Sequence, residues 1–420
     1  MFKVPFGWSL SPLKHADSFS TESLAESTNS SFAFRYVDIS SVSNELGIKR
    51  YADMTFSESP SRARKVVHAG DIIVSTVRTY LKAIALVQDS DNVIVSTGFA
   101  VIRPDKHIPN FLYYLCSSEF FCQEVNKRAW GIAYPAISEK QMGAIVVPIP
   151  PIDEQRAIVS LLDKKCREID GVSANLKKQI ALLERYRASV IHEAVTRGLD
   201  PTAPIKKSGI NWIEEIPQGW SITRIKYVST LCNGLDYSSE DVCDPSDKGA
   251  VLVVRSSNVR NGQMAHADDV YVNMKIPETC RLRKGDLVIV RANGSAELVG
   301  KNAVFDFEEE CAAGGFMLIC RSSATRYLKW LLQSDLLGFH RSRFNTTTIG
   351  RISSALLGNM AVPWPTEAER KAIADYLDAR TAAIDAVLDT KRKQLDVLKR
   401  RRQSLIYEYV TGKRRVTEEA

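Results

Sequence analysis

No stretch of this 420-residue sequence reaches the roughly 20 consecutive apolar residues that a bilayer-spanning helix needs, so transmembrane helices are not expected. The opening Met1-Phe2-Lys3-Val4-Pro5 lacks the basic-then-apolar order of a signal peptide, and the expected compartment is the cytoplasm. The eight cysteines form no C-x-x-C pair: Cys116/Cys122 and Cys311/Cys320 are too widely spaced for a redox or zinc motif, which leaves buried free thiols as the expectation. The six histidines (His15, His68, His107, His192, His266, His340) lack metal-ligand spacing.

Nucleotide and methyl-transfer signatures are missing too. There is no G-x-G-x-x-G and no Asn-Pro-Pro-aromatic tetrapeptide that would hold a flipped base. The nearest phosphate-loop candidate, Gly294 to Asn302, has its glycines one residue too far apart. It also offers Asn302 where a hydroxyl must reach magnesium. Asp71 and Asp286 read as turn residues leading into strands. A net charge of +7 suits an anionic partner without establishing one.

What the sequence does contain is itself, twice. Phe6-Gly7-Trp8-Ser9-Leu10 returns as Gln218-Gly219-Trp220-Ser221-Ile222, and Gly70-Asp71-Ile72-Ile73-Val74 as Gly285-Asp286-Leu287-Val288-Ile289. Gly98-Phe99 is matched with Gly315-Phe316. From Pro148 onward the offset is a constant 215 residues: Pro148 on Pro363, Asp163 on Asp378, Asp170 on Asp385, Thr196 on Thr411. Such a period marks a duplicated structural unit.

Each unit opens with short β-branched runs and helical patches, then meets a proline stop at Pro148-Ile149-Pro150-Pro151 or Pro363-Trp364-Pro365. Beyond it the sequence runs proline-free to Gly198 or Gly412, which predicts one long helix each time. Leu162, Ile169, Leu176, Leu183 and Val190 recur every seven residues, matched by Leu377, Ile384, Lys391, Leu398 and Leu405. That spacing is a coiled-coil seam, and about 44 helical residues span roughly 65 Å. The expected fold class is α+β, with two mixed α/β domains alternating with two long helices. The helices should pair as an antiparallel coiled coil within an internal pseudo-two-fold repeat. The expected bounds are 1–150 and 217–362 for the domains, 151–199 and 363–412 for the helices. A turn-rich linker at 200–216 and a charged tail at 413–420 complete the division.

The duplicated plan resembles the specificity subunit of type I restriction-modification systems over nearly the whole chain. Its most specific pieces are Pro148 to Ile158 with Leu161-Leu162-Asp163, the pairs Ile169-Asp170 and Ile384-Asp385, and Trp212 to Trp220. The resemblance implies two target recognition domains, each reading half of a split double-stranded DNA site, held at a fixed distance. It implies helices that dock two methyltransferase subunits, with restriction and translocase subunits joining the complex. S-adenosylmethionine, ATP and Mg²⁺ would belong to those partners, with no cofactor or catalysis in this chain. A coiled-coil scaffold without DNA reading is the competing expectation.

Arg78, Thr79, Tyr80 and Lys82 follow a strand in the first repeat; Arg291, Asn293 and Ser295 stand at the matching place in the second. Arginine can grip guanine and asparagine adenine with two bonds each, although solvated hairpin turns have the same composition. A second pair of loops offers Trp130 and Tyr134, and Asn345, Thr346, Thr347 and Thr348. The two aromatics would equally suit core cover. Lys391, Arg392, Lys393, Lys399, Arg400, Arg401 and Arg402 are candidates for phosphate neutralisation or a solvated helix face.

Overall fold

The structure, a computed structural model, describes residues 4–89, 91–132, 134–340 and 350–416. The chain divides into two compact units, Met1–Lys177 with Lys393–Ala420, and Lys178–Arg392. Each unit therefore draws on parts of both long helices rather than on one stretch of sequence.

In the first unit the β-branched runs become two four-stranded sheets. One is antiparallel in the order Ser18–Phe19, Phe99–Arg103, Ile72–Ser75, Ile84–Leu86. The other runs Ala52–Thr55, Ala33–Val37, Val93–Ser96, Ala63–Val66, and its two central strands are parallel. Every residue of Ile72–Ser75 and Val93–Ser96 is buried, which explains why these runs do not alternate with polar residues. Ile73, Phe99 and Val101 pack with Val37 and Val95 of the second sheet. Ile72, Val74 and Ile102 face the other way, onto Phe111, Leu112 and Leu115 of the helix Pro109–Ser117.

The second unit repeats this arrangement. Thr230–Asn233, Met317–Arg321, Leu287–Val290 and Asn302–Val304 form the antiparallel sheet. Val242–Cys243, Val270–Val272, Val251–Val254 and Cys311–Ala313 form the other, where the parallel pair is Val251–Val254 with the edge strand Cys311–Ala313. The strand register corrects one detail of the repeat. Phe99 lies opposite Ser75 and Met317 opposite Val290, so Gly98-Phe99 is equivalent to Phe316-Met317, one residue beyond the match made from the letters. The stretch read as a linker also differs: Ile205–Ile210 and Ile213–Pro217 pair as a hairpin. Ile213 and Ile216 are buried in the core of that unit, an anchor too short to show as periodicity.

The repeated motifs are structural contacts made twice. Asp71, buried, accepts the backbone N–H of His68 at 2.9 Å and two bonds from Arg103 at 3.0 and 2.9 Å. Asp286 does the same with Arg283 N–H at 2.9 Å and with Arg321 at 3.1 Å. The Trp8 indole donates to Glu154 in the first turn of the helix Ile152–Arg197 at 2.7 Å. Trp220 donates to Glu369 of the helix Glu367–Val410 at 3.1 Å. The Tyr114 hydroxyl reaches Asp163 at 2.6 Å and the Trp330 indole reaches Asp378 at 3.0 Å, so the Leu-Asp motif of each helix fastens it to a globular domain. Burial, with Asp163 second, raises the Tyr114 phenol well above its ordinary range and keeps it a donor. Each helix stops at a left-handed glycine, Gly198 (φ 77°) or Gly412 (φ 72°). A Cβ there would come within 3.1 Å of Trp220 or 3.3 Å of Trp8, so a side chain would crowd the tryptophan as well as strain the turn.

The long helices hold 46 and 44 residues and run antiparallel within each unit. In the first unit Glu154 bonds Arg415 and Asp170 bonds Arg402; in the second Gln179 bonds Lys391 and Arg187 bonds Asp385. Partners thus step backward along one segment as the other advances. Leu162, Ile169, Leu176, Val190, Leu377 and Ile384 are buried, while Leu183, Leu398 and Leu405 are half-buried. Lys391, the one charge in the seven-residue pattern, stays half-buried by donating to Gln179 at 2.6 Å.

Trp220→Phe, which keeps a ring but loses the indole N–H, should lower stability by about 1 kcal/mol. Trp220→Ala should cost about 3–5 kcal/mol, both read from denaturant unfolding. The cysteines are free, with Cys232 and Cys243 half-buried and the other six buried. Burial pushes the Cys122 and Cys311 thiols up to about 12 and Cys320 to about 11, so they stay protonated at neutral pH. A thiol reagent at pH 8 should modify only Cys232 and Cys243 until the protein is unfolded. Rapid labelling of Cys122 or Cys311 in the native state would contradict this packing.

Candidate nucleic-acid interface

Two loops nominated separately in the sequence meet in the first domain. Val77, just past the strand Ile72–Ser75, pairs with Ala136, and Ile137 N–H donates to Thr76 at 2.8 Å. This ladder carries Arg78 beside Tyr134, its guanidinium 4.8 Å from the ring centroid. Stacking orients the planar fork yet uses none of its N–H groups, which remain available for an acceptor. Arg78 (φ 50°) and Lys82 (φ 48°) are both left-handed and bracket a single 3₁₀ turn, Thr79–Leu81. Non-glycine residues in that region carry strain of order 1 kcal/mol each, and strain of this kind concentrates at functional sites.

The ladder borders a cleft of about 460 Å³ lined by Asp38, Ile39, Ser40, Arg62, Val77, Arg78, Leu81 and Tyr134. Arg62 and Arg78 are exposed, and neither has an acidic partner among the described residues. Trp130 is 77% and Tyr134 65% exposed, so neither is core cover. Tyr80 is exposed as well. Thr79, by contrast, is buried, and Lys82 is engaged with Glu119 at 2.6 Å. The 3₁₀ turn directs Thr79 inward and Lys82 toward Glu119.

The second domain has its cleft in the equivalent place, about 830 Å³, lined by Tyr237, Ser238, Arg255, Ser256, Asn293, Gly294 and Phe316 among others. Ala292 pairs with Arg351 as Val77 pairs with Ala136. Arg78 is therefore equivalent to Asn293, and Arg291 to Thr76. Arg291 donates to Asn233 at 3.1 Å. Asn293 donates one amide N–H to Ser256 at 3.2 Å and accepts Ser295 N–H at 3.0 Å, which leaves one N–H and one lone pair unspent. Ser295 is exposed. The candidates Asn345, Thr346, Thr347 and Thr348 lie outside the described residues.

Sequence reasoning missed the opposite wall of each cleft. Val37-Asp38-Ile39-Ser40-Ser41-Val42 and Val254-Arg255-Ser256-Ser257-Asn258-Val259 both leave a central parallel strand through a 3₁₀ turn. The shared V-x-x-S-x-V spelling was the available signal. It also shows how the walls differ, Asp38 standing where the second domain has Arg255.

The basic run on the second helix is largely spent internally. Arg392 pairs with Glu184 at 2.8 Å, Lys399 with Glu45 at 2.8 Å, Arg400 with Asp396 and Arg402 with Asp170 at 3.1 Å. Lys393 and Arg401 have no such partner among the described residues.

The family model for the type I restriction modification DNA specificity domain matches residues 17–182. The MjaVIII type I restriction enzyme specificity subunit of Methanocaldococcus jannaschii is 24% identical over 339 residues, which is 77% of this chain and 75% of that protein. The EcoKI specificity subunit of Escherichia coli K12 is 27% identical over 204 residues, 47% of this chain and 44% of the relative. A solved chain from work on complex assembly and conformational transition of the type I R-M system superposes with a TM-score of 0.73 at 25% identity. That match covers 98% of this chain and 99% of the other. Duplicated domains on paired long helices, together with these matches, make the chain similar in sequence and fold to the specificity subunits of type I restriction-modification systems.

Proposed function

We propose that the chain reads a bipartite, asymmetric DNA target, with the recognition domain at 1–150 on one half-site and that at 217–362 on the other. The observation that carries this reading is the recurrence of one cleft at one place in two domains whose lining residues differ. A common scaffold with unlike surfaces suits two unlike half-sites, where identical surfaces would suit a palindrome. Arg78 would make the base contact in the first domain and Asn293 in the second.

The chain itself does no chemistry in this reading and holds no cofactor. Methylation and cleavage belong to two methyltransferase subunits and to restriction and translocase subunits, which carry S-adenosylmethionine, ATP and Mg²⁺. The helices would supply docking surface, with Val172 and Val397 of the first unit 52% and 61% exposed. A scaffold without DNA reading would explain those helices but would leave both clefts without an occupant.

Exchanging residues 1–150 for the first domain of another family member, then mapping methylated sites in cells expressing the complex, should change one half of the motif and preserve the other. An unchanged motif would overturn the assignment. Arg78→Ala should cost about 1–3 kcal/mol of binding and relax one position of the first half-site. Asn293→Ala should do the same in the second, while Arg291→Ala should have the smaller effect. Uniform weakening on all sequences would make these residues phosphate contacts.

A further inference from the structure

The exposed tip of the first domain is more apolar than a groove-reading loop requires. Ile132 is fully exposed and Trp130 77% exposed, on either side of Gly131. The ends of their loop are paired: Trp130 and Ala136 exchange both backbone hydrogen bonds at 3.0 Å, and Ala136 pairs in turn with Val77. Gly131 has φ 108°, and a Cβ there would stand 3.1 Å from the Tyr134 carbonyl oxygen, so the turn depends on glycine. Two large apolar groups are thus presented to solvent beside a backbone pair that closes the base of their loop.

The occupant is indicated by charge. Two cations line the cleft beside this tip, Arg78, which stacks on Tyr134 of the same loop, and Arg62, against one carboxylate, Asp38. Neither forms an ion pair with an acid among the described residues, so the cleft beside the apolar tip carries two cations against one carboxylate. An apolar protein surface would leave those guanidinium groups desolvated and unpaired, whereas a nucleic acid offers phosphates and base edges to the cations and base faces to the apolar groups.

We propose that Trp130 and Ile132 form a wedge that enters the first half-site beside the base read by Arg78, unstacks one base step and kinks the duplex there. The proposal rests on the DNA-reading function above and adds deformation of the target to it. At the matching positions, 215 residues on, the second domain has Asn345 and Thr347. The wedge is therefore confined to one half-site, and the second serves as an internal reference.

The test uses the full chain assembled with its methyltransferase subunits, on duplexes carrying the mapped target. One set carries 2-aminopurine at successive positions of either half-site; another carries a dye pair spanning each half-site to report bending by energy transfer. With the methylated base of each half-site and its neighbours left unsubstituted, because the methyltransferase subunits flip that base, the expected result is a rise in 2-aminopurine fluorescence at one step of the first half-site only, with a bend localised there. A W130A/I132S double variant should abolish both signals and weaken binding about tenfold, with the second half-site signals unchanged. Since both side chains are solvent-exposed, the substitutions leave the core intact, which circular dichroism and assembly with the methyltransferase subunits will verify.

Specific binding by the wild-type complex with neither signal at the first half-site would overturn the wedge while leaving the reading function standing. Wild-type signals that persist in the double variant would also overturn it. Loss of subunit assembly in the double variant, with DNA binding by the unassembled chain unchanged, would assign the tip to a protein partner instead. Failure of the wild-type complex to prefer any target would refute the reading function itself.

Discussion

Each unit depends on a helix seam that is only partly apolar. Ile169, Leu176 and Ile384 supply buried hydrocarbon, at roughly 1.5–3 kcal/mol per large side chain removed from water, but hydrocarbon alone does not select a direction or a register. The polar members do that. Asp170 meets Arg402 in one unit and Asp385 meets Arg187 in the other, the same pair of motif positions each time. With Asp170 and Asp385 53% and 40% exposed, such pairs contribute little net stability, about 0–1 kcal/mol. Their value lies in what a mispaired register would leave, a half-buried arginine without an acceptor. Lys391 bonded to Gln179 works in the same way.

From that seam the globular domains take their positions through a short chain of partly buried bonds. Asp163 and Asp378, one heptad before the Ile-Asp pairs, accept Tyr114 and Trp330 from the domain helices. Glu154 and Glu369 accept the tryptophans that open each domain. Asp71 and Asp286 then fix the strand that leads to the cleft, each through an arginine on the neighbouring strand. Arg78 and Asn293 lie seven residues beyond those carboxylates. The cleft edge is therefore set by a relay of carboxylates, each placed by the element before it.

This relay explains which parts were legible in the sequence. Residues fixed by periodicity or by a repeated motif, such as Leu162, Ile384 and the Gly-Asp turns, could be assigned because the repeat spelled them twice. The hairpin at 205–217 could not, since its anchor is two isoleucines in a polar stretch packing on a core assembled from distant sequence. Within the candidate loop the letters named Arg78, Thr79, Tyr80 and Lys82 together. The 3₁₀ turn between two left-handed residues then sorted them, turning Thr79 inward and Lys82 toward Glu119. Which member of Arg291-Ala292-Asn293 answers Arg78 was likewise settled only by the pairing of Ala292 with Arg351.

The two domains can differ where they do because structural and surface duties fall on different residues. The carboxylates, tryptophans and strand residues shared by both repeats are buried or bonded within their own unit, so changing one leaves an unpaired group or a cavity. Arg62, Trp130 and Ile132 are exposed and lie outside every buried cluster, and the Arg78 side chain stacks on the face of Tyr134 without an ion pair among the described residues. Substitution at such positions costs the fold little, typically within about 0.5 kcal/mol. A duplicated chain can then keep one scaffold while its two clefts diverge, as Asp38 against Arg255 and Arg78 against Asn293 already have. Two unlike clefts follow from this division of labour with no change in the architecture of either domain.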